Sequence, residues 1–397
     1  MKKKWKILMF YIVVLCLLTG CWSRKELNEI AIVTALGIDK SEDGYIISVQ
    51  IINPGEIAGK TSTGRTEVVR FTANAGTVFE ALRELTTDVP RKLYLAHLRE
   101  VVIGEPLAKE GIGKVLDFLS RDHELRTDFY LTVAKGSPAS EILNVQTALE
   151  KIPANKLFSA LENSEKNWAR TKTVKLDELI DSIVSNGKEP VITGIYVYGD
   201  HEAGGDFTNV QNVSPNIGLR INQLAVFKKD KLIGWLNEDA SKGFNYITDN
   251  IKSTVVNVPC QNGKVSIETV RSKTSVEGKI ENGKPKIHIT INSEGNIGEV
   301  QCEIDLSNQE SLHKLEEEYQ NNIKDKVEEA ILNVQEEYHS DIFGFGEVFH
   351  RSDPKAWKRY EQNWDEEFSN LEFTVQVEGK IRRLGTITES FQNETRE

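Results

Sequence analysis

Leu312, Leu315, Tyr319, Ile323, Val327, Ile331, Val334 and Tyr338 recur three or four residues apart, with charged and polar residues between them. At about 3.6 residues per turn this spacing puts them all on one side of a single helix of about seven turns. Ser307 and Glu310 form a capping-box pattern at its start. So long a stripe needs a broad apolar surface to lie on, and strand patterns on both sides of it supply one. Ile287, Ile289 and Ile291 alternate with His288 and Thr290, while Leu371, Phe373, Val375 and Val377 alternate with Glu372, Thr374, Gln376 and Glu378. This period of two marks strands with one buried face. Further strands are expected at 254–258 and 265–269, and residues 224–236 read as a hairpin turning at Lys229-Asp230. Trp357, Tyr360, Trp364 and Phe368 step by three or four and predict an aromatic stripe on one helix, packed as core.

The N-terminal part alternates elements. Branched residues at 30–39 predict a buried strand; Ser41-Glu42-Asp43-Gly44 reads as a turn, and residues 45–52 as the returning strand of a hairpin. Residues 54–64 read as an exposed loop, and strand-like composition resumes at 67–72. Thr77 and Glu80 form a capping box ahead of Val78, Leu82 and Leu85, and Pro90 closes that segment. Strands at 98–104, 129–134 and 191–198 are separated by helical patterns at Ile112, Val115, Leu116 and Leu119 and again through 139–185. The polar run 199–214 offers few apolar side chains to cross it. The expected fold class is therefore α+β and multi-domain, with mixed and antiparallel sheets packed by amphipathic helices and one long helix in the C-terminal domain. The expected division is a leader at 1–20, an N-terminal α+β domain at 21–200 with a candidate split near 136, a linker at 201–217 and a C-terminal α+β domain at 218–390.

Lys2, Lys3, Lys4 and Lys6 precede an apolar stretch at 7–18. As a helix that stretch rises only ~18 Å, short of the ~30 Å hydrocarbon core, and fits a signal h-region better than a span. Leu18-Thr19-Gly20-Cys21 follows and resembles the bacterial lipobox. In such precursors the cysteine takes a diacylglyceryl thioether, the leader is cut before it, and the new N-terminus is acylated. Cys21 is accordingly the expected lipid-attachment residue, against the alternative of an ordinary signal peptide or uncleaved anchor. Two or three acyl chains at ~0.8 kcal/mol per buried methylene hold a protein durably on a bilayer. Without the four leader lysines, 45 basic residues face 60 acidic ones, a balance of −15. That excludes a phosphate-neutralising nucleic-acid surface and leaves membrane anchoring to the acyl chains. Of the remaining thiols, Cys260 follows Pro259 at a strand edge and Cys302 lies in an alternating segment. Two independent buried thiols are the favoured reading, with a disulfide between them the alternative.

The chain carries no Gly-x-Ser-x-Gly elbow, no Gly-x-x-x-x-Gly-Lys loop and no His-Glu-x-x-His pair. His97, beside a strand, reads as a structural histidine rather than a general base. His339 and His350 bracket Asp341, but Gly344 and Gly346 intervene and the spacing suits neither a helix nor a zinc loop. Arg121-Asp122-His123-Glu124-Leu125-Arg126 reads as an ion-pair network in a connecting turn, with a ligand or partner contact as the alternative. No catalytic, metal or cofactor residue is assigned.

Several segments together resemble the GerC-type family, the C subunits of spore germinant receptors. They are Cys21-Trp22-Ser23-Arg24-Lys25-Glu26-Leu27-Asn28, Val33 through Asp39, His97-Leu98-Arg99 with Val101 to Gly104, and Arg121-Asp122 through Arg126. In the second half they are Leu224 to Phe227, Gly234-Trp235-Leu236, Asp341-Ile342-Phe343-Gly344-Phe345-Gly346, and the later Trp357 and Trp364. Each string is weak alone; order and spacing make the set specific. The resemblance implies a non-enzymatic lipoprotein on the outer face of the spore inner membrane, acting with an A-type and a transporter-like B-type membrane subunit. A lipoprotein solute-binding protein of a transporter is the alternative, disfavoured because its lobes carry parallel sheets whereas this chain reads as hairpins and half-exposed strands.

Overall fold

The computed structural model describes residues 3–7, 9, 26, 28–59, 64–201, 204–205 and 208–383, so the expected attachment site Cys21 lies outside the described residues. Among these, nine strands build the first sheet: β1 (Ile30–Lys40), β2 (Tyr45–Ile52), β3 (Val68–Ala75), β4 (Lys92–Tyr94), β5 (Glu100–Gly104), β6 (Tyr130–Ala134), β7 (Val191–Gly199), β8 (Ile217–Lys228) and β9 (Lys231–Trp235). Their order is β3-β2-β1-β5-β6-β7-β8-β9, with β4 beside the start of β1. The centre is parallel, β1 to β5 to β6 to β7, and flanked by antiparallel pairs, so the sheet is mixed as expected, and its central strands show none of the half-exposed alternation read elsewhere in the chain. The cause is coverage of both faces, which removes alternation and leaves continuous apolar runs. β5 and β6 are buried at every position.

On one face the helices Val78–Glu84, Gly113–Arg121 and Leu176–Val184 bring Leu82, Leu116 and Leu179 into a core with Val33, Ile103 and Val133. Thr77 caps the first of these, its hydroxyl accepting from Glu80 N at 3.1 Å. On the other face the helices Ala139–Ile142 and Pro153–Asn167 set Ile142 and Leu157 against Val102 and Ile195. Where a loop was expected after residue 53, a short helix forms at Pro54–Ala58.

The second sheet is β10 (Thr254–Cys260), β11 (Gly263–Glu281), β12 (Lys284–Val300) and β13 (Glu372–Arg383), in that order. β11 and β12 form a long hairpin whose turn is Asn282-Gly283, both with positive φ (51° and 78°), as a two-residue turn matched to strand twist requires. β13 joins β12 in parallel, Ile287 opposite Phe373 and Ile291 opposite Val377. The long helix runs Gln309–Asn333 and continues through one wider turn at Val334–Tyr338. Its cap is Asn308 rather than Ser307, with Asn308 Oδ1 accepting from Glu310 N at 2.8 Å. Leu315, Tyr319, Ile323, Val327 and Ile331 are all buried against the sheet. The Tyr319 hydroxyl meets both Thr269 Oγ1 and Ser293 Oγ at 2.7 Å, tying β11 and β12 to the helix. A side chain at Gly379 of β13 would meet the Tyr319 ring at 2.7 Å.

Two expectations fail in this half. Cys260 and Cys302 are joined in a disulfide, their Cα atoms 6.2 Å apart, instead of standing as independent thiols. The register of β10, β11 and β12, invisible in sequence, carries the end of β10 and the residues after β12 to the same end of the sheet. The aromatic residues do not share one helix either. Trp357 lies in Pro354–Tyr360 and Trp364 and Phe368 lie in Trp364–Ser369, with a tighter turn at Glu361–Asn363 between them. The stripe is core all the same, with the rings of Trp357 and Trp364 edge to face at 5.0 Å.

Residues of the expected linker connect neighbouring strands: β7 and β8 pair antiparallel from Val191 and Val226 to Gly199 and Ile217. Hydrogen bonding of the first sheet therefore crosses that segment. On β8, Leu224 and Val226 belong to the core of the long helix while Ala225 and Phe227 belong to the core of the first sheet.

Candidate functional site

The densest meeting of family-like segments lies where the two halves touch. The loop Ser185 to Glu189, between a helix and β7, packs on the segment Tyr338 to Glu347. Glu189 N donates to Asp341 O at 2.7 Å, Glu347 N to Gly187 O at 3.2 Å, and Ser185 Oγ to Glu347 Oε1 at 3.0 Å. Ser340 Oγ reaches Phe227 O at 2.9 Å, and Tyr338 OH reaches Trp235 O at 3.1 Å. Gly346 and Gly187 meet backbone to backbone; a Cβ on Gly346 would stand 2.5 Å from Gly187 Cα and 2.7 Å from the Trp357 ring.

Asp341 is the hub of this seam. Its Oδ1 accepts from Phe343 N at 3.1 Å and Gly344 N at 2.9 Å, and its Oδ2 from Gly346 N at 2.8 Å and Trp364 Nε1 at 2.9 Å. The turn depends on Gly344, whose φ is +77°. Burial pushes the carboxyl up to about 6, with the four donors pulling it back toward the ionised form. With both oxygens engaged, Asp341 is a fastener and not a base or metal ligand. His339 and His350 go elsewhere: His339 Nδ1 lies 2.9 Å from Ser369 Oγ, and His350 stacks on Trp357 at 6.2 Å. Among the described residues no group of three His, Cys, Asp or Glu side chains is placed to hold a metal.

Beside the seam is an open cleft of about 520 Å³ lined by Asn186, Glu189, Lys229, Glu361, Asn363 and Asp365. Glu189 Oε2 accepts from Lys229 N at 2.6 Å, Lys229 Nζ donates to Ser185 O at 2.8 Å, and Lys228 pairs with Asp365 at 2.7 Å. Burial raises the Glu189 carboxyl above its ordinary range. Glu361 Oε1 accepts from Asn186 Nδ2 at 3.0 Å, so each of the cleft's carboxylates has a partner, and the Asn186–Glu361 and Lys228–Asp365 contacts brace the two halves.

The other candidates are dispersed. His97 is exposed and edge-on to Tyr94, ring centres 5.6 Å apart. In the charged run, Arg121 pairs with Asp117 at 2.8 Å, Glu124 with Lys92, and Arg126 with Asp128 at 3.3 Å, while Asp122 Oδ1 accepts from Glu124 N. Three of these contacts are local to the run, and Lys92 to Glu124 ties it to β4.

Sequence reasoning missed several buried carboxylates, among them two in the first sheet. Asp39, at the end of β1, accepts from Ala139 N at 2.7 Å and Ser140 N at 2.9 Å, fixing the start of a helix across the sheet. Glu100, in the parallel centre, is wholly buried; Thr132 Oγ1 donates to its Oε1 at 2.6 Å, and its Oε2 meets no partner among the described residues. Burial pushes this carboxyl up to about 8. An acid placed among Val101, Val102 and Ile103 was the available signal.

Comparison with known proteins follows the same layout. Residues 23–197 match the spore germination protein N-terminal domain, and residues 222–385 match the spore germination B3/GerAC-like C-terminal family. The chain is similar to spore germination protein KC of Bacillus subtilis, 33% identical over 378 residues and 93% of each chain. It is also similar to spore germination protein B3 of the same organism, 25% identical over 97% of this chain and 98% of that one. The crystal structure of the GerBC protein shares the fold, with a TM-score of 0.54 at 20% identity over 87% of this chain and 96% of that one. From the lead-in to β1 through β13, the chain belongs to the GerAC family of spore germination proteins, the GerC type.

Proposed function

We propose that this protein is the lipid-anchored C subunit of a nutrient germinant receptor, a non-enzymatic body held at the outer face of the spore inner membrane beside A-type and B-type membrane subunits. The observation that carries the reading is family membership along nearly the whole chain. The anchor follows from the lipobox-like Leu18-Thr19-Gly20-Cys21. Among the described residues no helix is long and apolar enough to cross a membrane. The seam supports a scaffolding role, since its carboxylates are consumed by structural hydrogen bonds rather than presented to a substrate.

Cys21→Ala tests this. The expected result is loss of the protein from the membrane fraction, together with slowed nutrient-triggered germination. Normal germination with the protein released from the membrane would remove the anchor from the mechanism.

A further inference from the structure

The cleft beside the seam holds polar groups that its brace does not use. Asn186 comes from the loop before β7, and Gln362 and Asn363 from the tighter turn Glu361–Asn363, so both halves line it. Asn186 commits its Nδ2 to Glu361, and its Oδ1 accepts from no group among the described residues. The side-chain amides of Gln362 and Asn363 are exposed and make no hydrogen bond among the described residues, although Asn363 stands at the start of a helix it could cap. Each carboxamide offers donors and an acceptor without carrying charge.

The charged groups of the cleft are already engaged. Glu189 accepts from Lys229 N, Asp365 pairs with Lys228, and Glu361 accepts from Asn186. A charged ligand would have to displace one of these contacts, and a hydrocarbon would cover the free amides without bonding them. Hydroxyl groups, which donate and accept at once, suit them. The volume of about 520 Å³ is that of a small-molecule site.

We propose that this cleft binds a small, uncharged, polyhydroxylated solute, a sugar or polyol, through the carboxamides of Asn186, Gln362 and Asn363. The inference goes beyond the receptor reading and stands on the chemistry of the cleft alone. A solute held there touches the loop Ser185 to Glu189 and the turn Glu361–Asn363 together, and so adds to the contacts between the two halves. Binding to the folded form alone also raises its melting temperature by mass action.

The test uses the full-length protein, with glucose, myo-inositol and sorbitol as probes and acetate and ethylammonium as charged controls. Titration calorimetry and melting temperature are read for wild type and for Gln362→Ala with Asn363→Ala. Neither side chain holds a bond among the described residues, so the variant should melt as wild type does without solute. Exclusion of polyols from protein surfaces raises both melting temperatures alike, which makes the difference between the two proteins the readout. The expected result is saturable binding of at least one polyol at millimolar affinity or tighter, weakened about ten-fold or more in the variant. No saturable binding of any of the three polyols, or equal affinity in wild type and variant, overturns the proposal. Saturable binding of a charged control alone overturns the class of ligand. None of these outcomes bears on membrane release or germination in Cys21→Ala, on which the receptor reading turns.

Discussion

The two sheets hold themselves together by opposite means. The nine-stranded sheet is covered on both faces and relies on apolar burial, so it can carry Glu100 in its centre with one oxygen unpaired. The four-stranded sheet has one strongly buried face, and its half of the molecule adds specific ties: a disulfide, a tyrosine hydroxyl bridging two strands, and an aspartate with four donors. Glu100 is carried with one oxygen unpaired because burial keeps its carboxyl protonated, whereas the Asp341 carboxylate has a donor for each lone pair it presents.

The sharpest way to break this contrast is to treat the two buried acids alike. Asp341→Asn places an amide N–H₂ among groups that already donate, and the expected loss is about 3–5 kcal/mol in urea unfolding. A loss below about 1 kcal/mol would show that the seam does not depend on the carboxylate. Next in size is the staple: Cys260→Ser with Cys302→Ser opens a loop of 42 residues and should cost about 3–4 kcal/mol. An unchanged denaturation midpoint would put the strength of this half in its hydrogen bonds alone.

Glu100→Gln should do the reverse and stabilise by about 1–3 kcal/mol at pH 7. The sign follows from the raised pKa: between about 4.5 and about 8 the folded state keeps a proton that the unfolded chain has lost. Wild-type stability therefore falls as pH rises through that window, by at most about 1.4 kcal/mol per pH unit from this group, and levels off above it. Asp341 acts in the same direction between about 3.8 and about 6. The difference in slope from pH 6 to 8 between wild type and Glu100→Gln reports Glu100, because Lys242, lowered by burial to about 8, and Glu189, raised by burial, are common to both; equal slopes would assign the dependence elsewhere. The smallest effect is Asn308→Ala, about 1 kcal/mol for the lost cap of the long helix, read from the thermal midpoint.

What could be read in advance depended on how local its cause was. The long helix was legible because its period of three and four persists through Leu315, Tyr319, Ile323 and Val327, and β13 because Phe373, Val375 and Val377 alternate. The parallel pairing of the centre went unread because strands buried on both faces show no alternation and their register has no local signature. The break between Trp357 and Trp364 was hidden because a three-residue turn preserves helical spacing while changing direction. Asn282-Gly283 was a usable hairpin signal that went unread. Of the seam, the string Asp341 to Gly346 was visible but its task was not, since Trp364 and Gly187 come from elsewhere in the chain. Cys21 remains a motif in sequence.

The alternation of β8 has a mechanical consequence. Leu224 and Val226 point one way and Ala225 and Phe227 the other, so one strand is a party wall between two cores. A slip of this strand by a single residue would withdraw Val226 and Phe227 from their sockets together and swap their sides. Any displacement of this strand therefore disturbs both cores at once.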